Sequence, residues 1–418
     1  MKKILIITIA LLFSVFILGC SAISPQETTT TEERTADTST FNEIHDVDDL
    51  SAMAMNQSYV LMEDLDLSDV EWEPLGSFDE PFIGHFDGNG HTISNLTITT
   101  KNTDFNGLFA VMNGDVFDLT LEGVSIDYST SFLTYAGALA GKIEGGSVEN
   151  IDISADINVS NASSNTFAGL LAGIVQAHVT DTMTPDEFIA NHVTNTRLSG
   201  SLDVISSNYV FVGGLAGKTY NTELTKNTID VTIAALANEH RIYAGGLSGH
   251  NYSGLLVGFE DFVDETSISI SENTVKAAFD IRSQGTKAAI GGLLGYNDYG
   301  NLIDNHVDAE MILSGNDFTI GSLVGEDFHG TIERTLSTVT INVTNQPGSI
   351  SVGDICGFVT DDTDVSSAYY MLEYDDEVTL SNGNSVSNSE LRTETFYRDI
   401  LGWDDVFDLT RLTGFYSE

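Results

Sequence analysis

A short glycine motif recurs along most of this chain. Its clearest copy is Phe211-Val212-Gly213-Gly214-Leu215-Ala216-Gly217, which reduces to Gly-x-(Leu/Ile)-x-Gly after two mostly apolar residues. Complete copies begin at Gly137, Gly169, Gly213, Gly245, Gly291, Gly321 and Gly353, and a degenerate copy begins at Asn106. Successive starts are 31, 32, 44, 32, 46, 30 and 32 residues apart. A period of this kind indicates stacked units that each contact only their neighbours.

The residues between the motifs predict strands, because apolar and polar residues alternate and no long helical pattern appears. Parallel stacking would place the motif leucines in an internal ladder, and eight coils would rise about 40 Å. The motif glycines would form corners, through either positive φ or close backbone approach. We also expect one corner residue per coil, often asparagine, at Asn150, Asn195, Asn227, Asn273, Asn305 and, substituted, Arg334. The sequence therefore predicts an all-β parallel β-helix solenoid of about eight coils with short helical caps.

The chain is strongly acidic, with 62 Asp and Glu against 16 Lys and Arg among 418 residues. A field of this sign repels nucleic acid and anionic membrane surfaces, so we exclude both as direct partners of the folded body. Cations, basic partners or a salty medium fit better, and solubility of a surface protein is the simplest explanation. The two cysteines, Cys20 and Cys356, cannot form a disulfide framework or a cysteine-based metal site.

The N-terminus predicts secretion followed by lipid attachment. Two lysines precede an apolar run of 15 residues, which is short for a membrane span, so residues 1–19 are interpreted as a signal peptide. Ile17-Leu18-Gly19-Cys20 resembles the lipobox of bacterial lipoproteins, which implies acylation of Cys20 and a place on the extracellular face of the bacterial membrane. A simple signal with an incidental cysteine is the alternative. Residues 20–40, rich in threonine, would form a disordered tether of roughly 25 Å.

Beyond the tether, the chain divides into an N-terminal cap with the first coils (41–98), the repeats (99–385) and a C-terminal cap (386–418). Asp46 to Ala54 predicts a short helix with Asp46 as its N-cap, covering the open end of the solenoid. Ser387-Asn388-Ser389-Glu390 predicts a capping box, and Trp403, Phe407 and Phe415 supply bulk behind it.

The repeats resemble those of the GLUG-repeat family of bacterial surface proteins. The resemblance covers about residues 82–359 and includes Phe82-Ile83-Gly84-His85-Phe86-Asp87-Gly88-Asn89-Gly90 at its start. It implies a right-handed parallel β-helix. The same repeats accompany immunoglobulin A metallopeptidases, whose His-Glu-x-x-His zinc motif does not occur in this sequence. The resemblance therefore does not extend to peptidase activity.

Two irregular spacings mark the predicted binding side. The interval from the last motif glycine to the corner residue is 22 residues after Gly173 and 24 after Gly249, against 9 or 10 elsewhere. Insertions at one step of a solenoid lie on one side, often the binding side. Candidate binding residues there are Met183, Asp186, Glu187 and Phe188 in the first insertion and Tyr252, Phe259, Glu260, Asp261, Phe262, Asp264 and Glu265 in the second. They would recognise a sugar, a cation or a basic protein, or they are solvated excursions that the solenoid tolerates.

Other candidate sites are weaker. Asp361-Asp362-Thr363-Asp364 and Asp375-Asp376-Glu377 could bind Ca²⁺ but lack the twelve-residue calcium-loop pattern, so solvated turns are the simpler interpretation. His85, Asp87 and His91 cluster at one turn and would need a further partner to bind a metal or act in catalysis. Cys356 occupies the small-residue position of the last motif and is expected to be a buried, inert thiol. No cofactor is expected.

The sequence thus favours a non-enzymatic, lipid-anchored surface protein that displays a β-helix for adhesion or for binding a host or glycan ligand. The sequence leaves two alternatives open. One is a carbohydrate-active β-helix enzyme, a polysaccharide hydrolase or lyase, although the scarcity of basic residues disfavours an acidic polysaccharide substrate. The other is a passive envelope spacer.

Overall fold

The computed structural model describes residues 41–99, 104–178, 190–254, 268–344, 348–365, 367–403, 406–409 and 412. The signal peptide, Cys20 and the tether lie outside these residues. Within them, no helix has the length and apolar character needed to cross a bilayer.

The described residues form three parallel sheets that run along the stack, and this confirms the predicted parallel β-helix. Sheets B and C each contain eight strands, one for each copy of the glycine motif, and sheet A contains twenty-one. Every strand pairing is parallel. The eight coils expected from the motif count are therefore present, and the strands before the first motif add further turns to sheet A.

The first strands, all in sheet A, are β1 (Asn42–Ile44), β2 (Tyr59–Leu61), β3 (Leu65–Asp66), β4 (His85–Asp87), β5 (Thr92–Ser94) and β6 (Thr97–Ile98). The first four coils contain β7 (Phe105–Asn106), β8 (Phe109–Met112), β9 (Asp115–Thr130), β10 (Thr134–Ala136), β11 (Ala140–Glu144), β12 (Ser147–Asn161), β13 (Thr166–Gly169), β14 (Ala172–Gln176), β15 (Asn191–Thr194), β16 (Arg197–Ser206), β17 (Val210–Gly213), β18 (Ala216–Tyr220), β19 (Thr222–Thr225) and β20 (Thr228–Ala237).

The last four coils contain β21 (Ile242–Gly245), β22 (Ser248–Tyr252), β23 (Ser269–Ser271), β24 (Thr274–Ser283), β25 (Ala288–Gly291), β26 (Leu294–Asp298), β27 (Asn301–Ile303), β28 (His306–Gly315), β29 (Phe318–Gly321), β30 (Val324–Phe328), β31 (Thr331–Glu333), β32 (Thr335–Thr344), β33 (Ile350–Gly353), β34 (Cys356–Val359), β35 (Asp364–Val365), β36 (Ala368–Tyr374) and β37 (Asn384–Ser385). The helical segments are α1 (Val47–Ser51), α2 (Asn388–Leu391) and a π-helical turn at Phe396–Ile400.

The glycine motif forms the corner between sheets C and B. Sheet C contains β7, β10, β13, β17, β21, β25, β29 and β33, and sheet B contains β8, β11, β14, β18, β22, β26, β30 and β34. In the fourth coil, β17 ends at Gly213, the chain turns through Gly214 and Leu215, and β18 begins at Ala216. A Cβ on Gly217 would lie 2.6 Å from the Phe211 carbonyl oxygen, and one on Gly213 would lie 2.3 Å from that of Ala216. Neither glycine has positive φ. Of the two roles proposed from the sequence, close backbone approach is therefore the one that these glycines serve.

The motif leucines form the predicted internal ladder. Every residue at this position is at most 1% exposed: Leu108, Leu139, Leu171, Leu215, Leu247, Leu293, Leu323 and Ile355. Cys356 follows in the same interior and is fully buried, so the expected burial of its thiol is confirmed. Burial also holds the pKa of this thiol well above its usual range, which keeps it protonated.

The expected corner residues separate into two adjacent columns. One column has left-handed backbone, with φ between 44° and 58°: Asp118, Asn150, Asn195, Lys226, Glu272, Asp304 and Arg334. The next position holds the buried residues Asn227, Asn273 and Asn305, whose side chains hydrogen-bond from coil to coil. The expectation that these residues share one equivalent position was therefore wrong. The sequence shows the difference, because Asn150 and Arg334 lie 9 residues after the last motif glycine, whereas Asn227 and Asn305 lie 10 residues after it.

The two ends of the stack are covered differently. The predicted N-terminal helix is present as α1, capped by Asp46, and Leu50 is buried in the main core. The predicted capping box at Ser387 and Glu390 is also present. The segment that follows it packs on the outward side of sheet A, where Trp403 and Tyr397 form a second core with Leu336. Beyond the last coil the stack is continued by residues 379–383, where Leu380 pairs with Gly353.

Candidate binding face

The outward side chains of sheets B and C form one surface that is rich in aromatic residues, which we call the aromatic face. Sheet C contributes Phe105, Tyr135, Phe167, Phe211 and Tyr243 in one register column. Sheet B contributes two columns, Lys142, Ile174, Lys218, His250, Tyr296, Glu326 and Phe358, and Glu144, Gln176, Tyr220, Tyr252, Asp298 and Phe328. The glycine corner brings the sheet B and sheet C columns together.

The sheet C column is a continuous ring stack. Neighbouring centroids from Phe105 to Tyr243 lie 4.7, 4.9, 4.6 and 5.1 Å apart, with interplanar angles of 14° or less. Ring faces in the middle of such a stack are covered by their neighbours, and Phe167 and Phe211 are only 8% and 9% exposed. The stack therefore stabilises the coils and presents ring edges, rather than ring faces, to a ligand.

Most charged groups on the aromatic face are paired. Lys142 Nζ lies 2.6 Å from Glu144 Oε2. The nearly buried Glu326 contacts Arg241, and its Oε1 lies 2.8 Å from Lys287 Nζ. Such pairs neutralise charges that would otherwise be costly to bury.

Lys218 differs from these residues, because no carboxylate of the described part of the chain lies within ion-pair distance of its Nζ. The ammonium instead lies 4.5 Å from the ring centroid of Tyr220 and 5.3 Å from that of Phe211. Contact with two ring faces offsets part of the cost of burying the charge. Burial nevertheless lowers the pKa of Lys218 to about 8.

His250 is the residue next to Lys218 in the following coil. Its ring stacks on Tyr296 at 4.4 Å and meets Tyr243 edge to face at 5.4 Å. Its Nδ1 is buried and has no hydrogen-bond partner in any other described residue. Burial first, and then the nearby charge of Lys218, hold the pKa of this imidazole well below its usual range. His250 is therefore neutral at physiological pH.

Both insertions leave from the edge of this face. The structure describes the chain to His178 before the first and to Gly254 before the second. Gln176, Tyr220 and Tyr252 are in register, so one coil, that of Lys218, separates the two departure points. Of the predicted binding residues, Tyr252 is described: it is half-buried, and its ring lies 5.9 Å from that of Tyr220. The other candidates (Met183, Asp186, Glu187, Phe188, Phe259, Glu260, Asp261, Phe262, Asp264 and Glu265) lie outside the described residues and stay predictions.

Sheet A presents a second, polar groove along its left-handed column. Asp118, Asn150 and Asn195 bond to one another there, and further along Arg334 donates two bonds of 2.8 Å to Asp304. Trp403 Nε1 also donates to Asp304, at 3.0 Å, so the C-terminal segment covers this end. The groove's polar groups are largely bonded to each other.

The remaining sequence candidates do not converge. His85 contacts Asp115 at 2.8 Å and His91 contacts Asp64 at 3.0 Å, while Asp87 accepts the Asn89 N–H within the turn. Over the described ranges, no three His, Cys, Asp or Glu side chains are grouped to hold a metal ion. Among these residues, the acidic strings near Asp362 and Asp376 therefore do not form such a group.

Comparisons with known proteins find similarity over limited stretches. "Halomucin" of Haloquadratum walsbyi is 32% identical over 122 residues, which is 26% of this chain and 1% of that protein. The "Putative Gly-rich membrane protein" of Evansella cellulosilytica is 34% identical over 106 residues, 23% of this chain and 12% of that protein. This chain thus matches a small part of either relative. No protein-family model matches the chain.

One solved structure is similar to this chain: a "putative immunoglobulin A1 protease" from Bacteroides ovatus. The alignment covers 87% of this chain and 88% of the Bacteroides chain. The identity is 15% and the TM-score is 0.39. A likeness at this level carries no argument about function.

Sequence reasoning missed Lys218, His250 and the aromatic column. A signal existed, because an aromatic residue stands two places before the first glycine in several copies, as Tyr135 does before Gly137 and Phe211 before Gly213. Lys218 and His250 each directly follow the last glycine of a copy. What the sequence did not show is that the two positions meet across the corner.

Proposed function

We propose that this protein is a non-enzymatic, lipid-anchored surface protein that binds a ligand through the aromatic face and the two insertions beside it. The observation that carries the proposal is the position of Lys218, Tyr220 and Tyr252 between the departure points of the insertions. Elsewhere the outward residues of the strands are mostly charged or small and polar, as in Asp152, Ser154 and Asp156 of β12. An aromatic surface that interrupts this pattern next to insertions is typical of a binding site.

A surface location is supported by the predicted signal and lipobox and by the names of the two relatives, one of which is called a membrane protein. The non-enzymatic part is supported by the state of two carboxylates on the aromatic face. Glu144 is paired with Lys142, and Glu326 is paired with Arg241 and Lys287. Carboxylates held in this way are poorly prepared for acid–base work on a glycan.

The binding proposal is tested with the compact unit Ser39–Glu418. Three proteins are screened against glycans and host proteins, with and without Ca²⁺. They are the parent, a variant lacking Leu255–Thr266 and the double variant Tyr220→Ala/Tyr252→Ala. We expect both variants to lose the ligand, whereas Asn158→Ala, exposed on sheet A, keeps it. Unchanged binding by both variants would remove the proposal, and turnover of a polysaccharide would favour an enzyme.

Lipid attachment is tested separately in bacteria that express the full chain. The native protein should partition into detergent and carry an N-terminal diacylglyceryl-cysteine at Cys20 by mass spectrometry, while Cys20→Ser should be released. Mature protein without that modification would contradict the anchor.

A further inference from the structure

The cations of this chain are scarce, and nearly all of those described are already neutralised. Nine of them lie within 4.0 Å of a carboxylate: Lys142, Arg197, Lys226, Arg241, Lys276, Arg282, Lys287, Arg334 and Arg398. Arg392 hydrogen-bonds Asn388 on the surface. Among the described Lys and Arg residues, Lys218 is the only one that is partly buried and has neither a carboxylate within ion-pair distance nor a hydrogen-bond acceptor. Its ammonium group could therefore be stabilised by an anion from a ligand.

A second polar group without a partner lies next to Lys218. The buried Nδ1 of His250, one coil away, is also without a partner in any other described residue. Phe211, Tyr220, Tyr243 and Tyr296 surround the two side chains at ring distances between 4.4 and 6.5 Å from His250. Aromatic side chains with a few polar groups among them are typical of small-ligand recognition.

The tyrosines near Lys218 also indicate what the anion is attached to. The hydroxyls of Tyr220, Tyr252 and Tyr296 have no hydrogen-bond partner within the described ranges, and all three side chains are half-buried at this site. Hydroxyls and an imidazole nitrogen match the alternating donors and acceptors of a sugar ring. An aliphatic or peptide carboxylate would leave several of these groups without partners.

We propose that Lys218 and His250 form the centre of a binding site for an acidic sugar, with the sugar carboxylate on the Lys218 ammonium and its hydroxyls on His250 and the surrounding tyrosines. The inference rests on the proposed function and names its ligand class. It concerns a single or terminal acidic sugar in an otherwise neutral glycan, because a net charge of −46 repels a polyanion.

The proposal predicts a pH dependence with a definite sign. A carboxylate stabilises the ammonium form of Lys218, whose pKa without ligand is about 8. Affinity is therefore full below that pH and falls above it, by up to about tenfold per pH unit until the pKa of the complex is reached.

The test uses Ser39–Glu418 and ligand-observed NMR titrations with methyl glucuronide, methyl glucoside, acetate and glutamate. We expect methyl glucuronide to bind at least about tenfold more tightly than the other three, a difference of about 1.4 kcal/mol. Lys218→Met removes the charge while keeping the apolar stem, so it should fold at least as well and lose that preference. Lys276→Met, on sheet A, is the matched control and should keep it.

Several outcomes would overturn the inference. They are equal binding of methyl glucoside, tighter binding of acetate or glutamate, or an unchanged preference in Lys218→Met with a native melting profile. If the wider screen then still finds a ligand that depends on Tyr220 and Tyr252, the proposed function stands and only the acidic-sugar assignment fails. If neither experiment finds a ligand, both fail.

Discussion

At the scale of single residues, Asn273 shows how neighbouring coils are joined inside the stack. Its Nδ2 donates to Asn305 Oδ1 at 3.0 Å and to the Leu224 carbonyl at 2.8 Å. Its Oδ1 accepts the backbone and side-chain N–H groups of Asn227 at 3.1 and 3.0 Å. The residue is fully buried. One side chain therefore satisfies polar groups of the coil before and the coil after its own.

Asn273→Ala should lower the free energy of unfolding by about 2–4 kcal/mol, because it leaves several buried groups without partners. Urea denaturation of Ser39–Glu418 followed by circular dichroism measures the change. Asn158→Ala is the control: this asparagine is exposed on β12, and the expected change is within about 0.5 kcal/mol. Equal effects of the two substitutions would contradict the role of the ladder.

At the scale of elements, the C-terminal segment covers the outward side of the last coils of sheet A. The register column that it covers runs from Arg197, Thr228 and Thr274 to His306, Leu336 and Tyr369. The column is polar in the early coils and becomes apolar where Trp403 and Tyr397 pack. The segment thus docks where the sheet offers it an apolar surface.

His306 makes this docking sensitive to pH. The imidazole is nearly fully buried, its ring lies 6.3 Å from that of Trp403, and burial lowers its pKa to about 4. The unfolded chain, with an imidazole pKa near 6.5, binds the proton more readily between these values. Stability is therefore full above about pH 6.5 and falls as the pH drops towards 4, by at most about 3 kcal/mol.

The experiment compares the parent protein with His306→Gln at several pH values between 4 and 7, using urea denaturation. Burial also raises the pKa of the Asp308 carboxyl, so the difference between the two proteins is what isolates the imidazole. We expect the parent to lose more stability than the variant on acidification. Parallel pH profiles would show that His306 does not contribute.

At the scale of the whole molecule, the excess of acidic residues destabilises the folded state. The net charge is −46, and exposed acids such as Asp127, Asp203 and Glu310 project from sheet A. Like charges on one compact body repel one another, and salt screens that repulsion over about 10 Å at 0.1 M and about 3 Å at 1 M.

The melting temperature of Ser39–Glu418 should therefore rise by several degrees between about 20 mM and 1 M NaCl. The triple variant Asp127→Asn/Asp203→Asn/Glu310→Gln should melt higher than the parent in low salt and respond less to added salt. Differential scanning calorimetry gives both quantities. A melting temperature that is independent of salt in the parent would contradict the argument.

The fold was predictable because a stacked coil repeats its own pattern. The spacing between Gly213 and Gly245 is one coil, and alternation within each strand decides which residues face inward, as Leu215 and Leu247 do. Insertions at one step also have to leave from one edge, which the register of Gln176 and Tyr252 shows. These are local and periodic properties, so the sequence by itself determined them.

The candidate site was only partly predictable, because alternation says that a side chain points outward and not what it then meets. Phe211 and Lys218 come into contact because a glycine corner folds sheet C against sheet B. Lys218 stays without a carboxylate partner among the described residues, although acids outnumber bases almost four to one. The tertiary structure alone decided both facts, because the angle between two sheets and the distances across their corner depend on backbone contacts between separate coils.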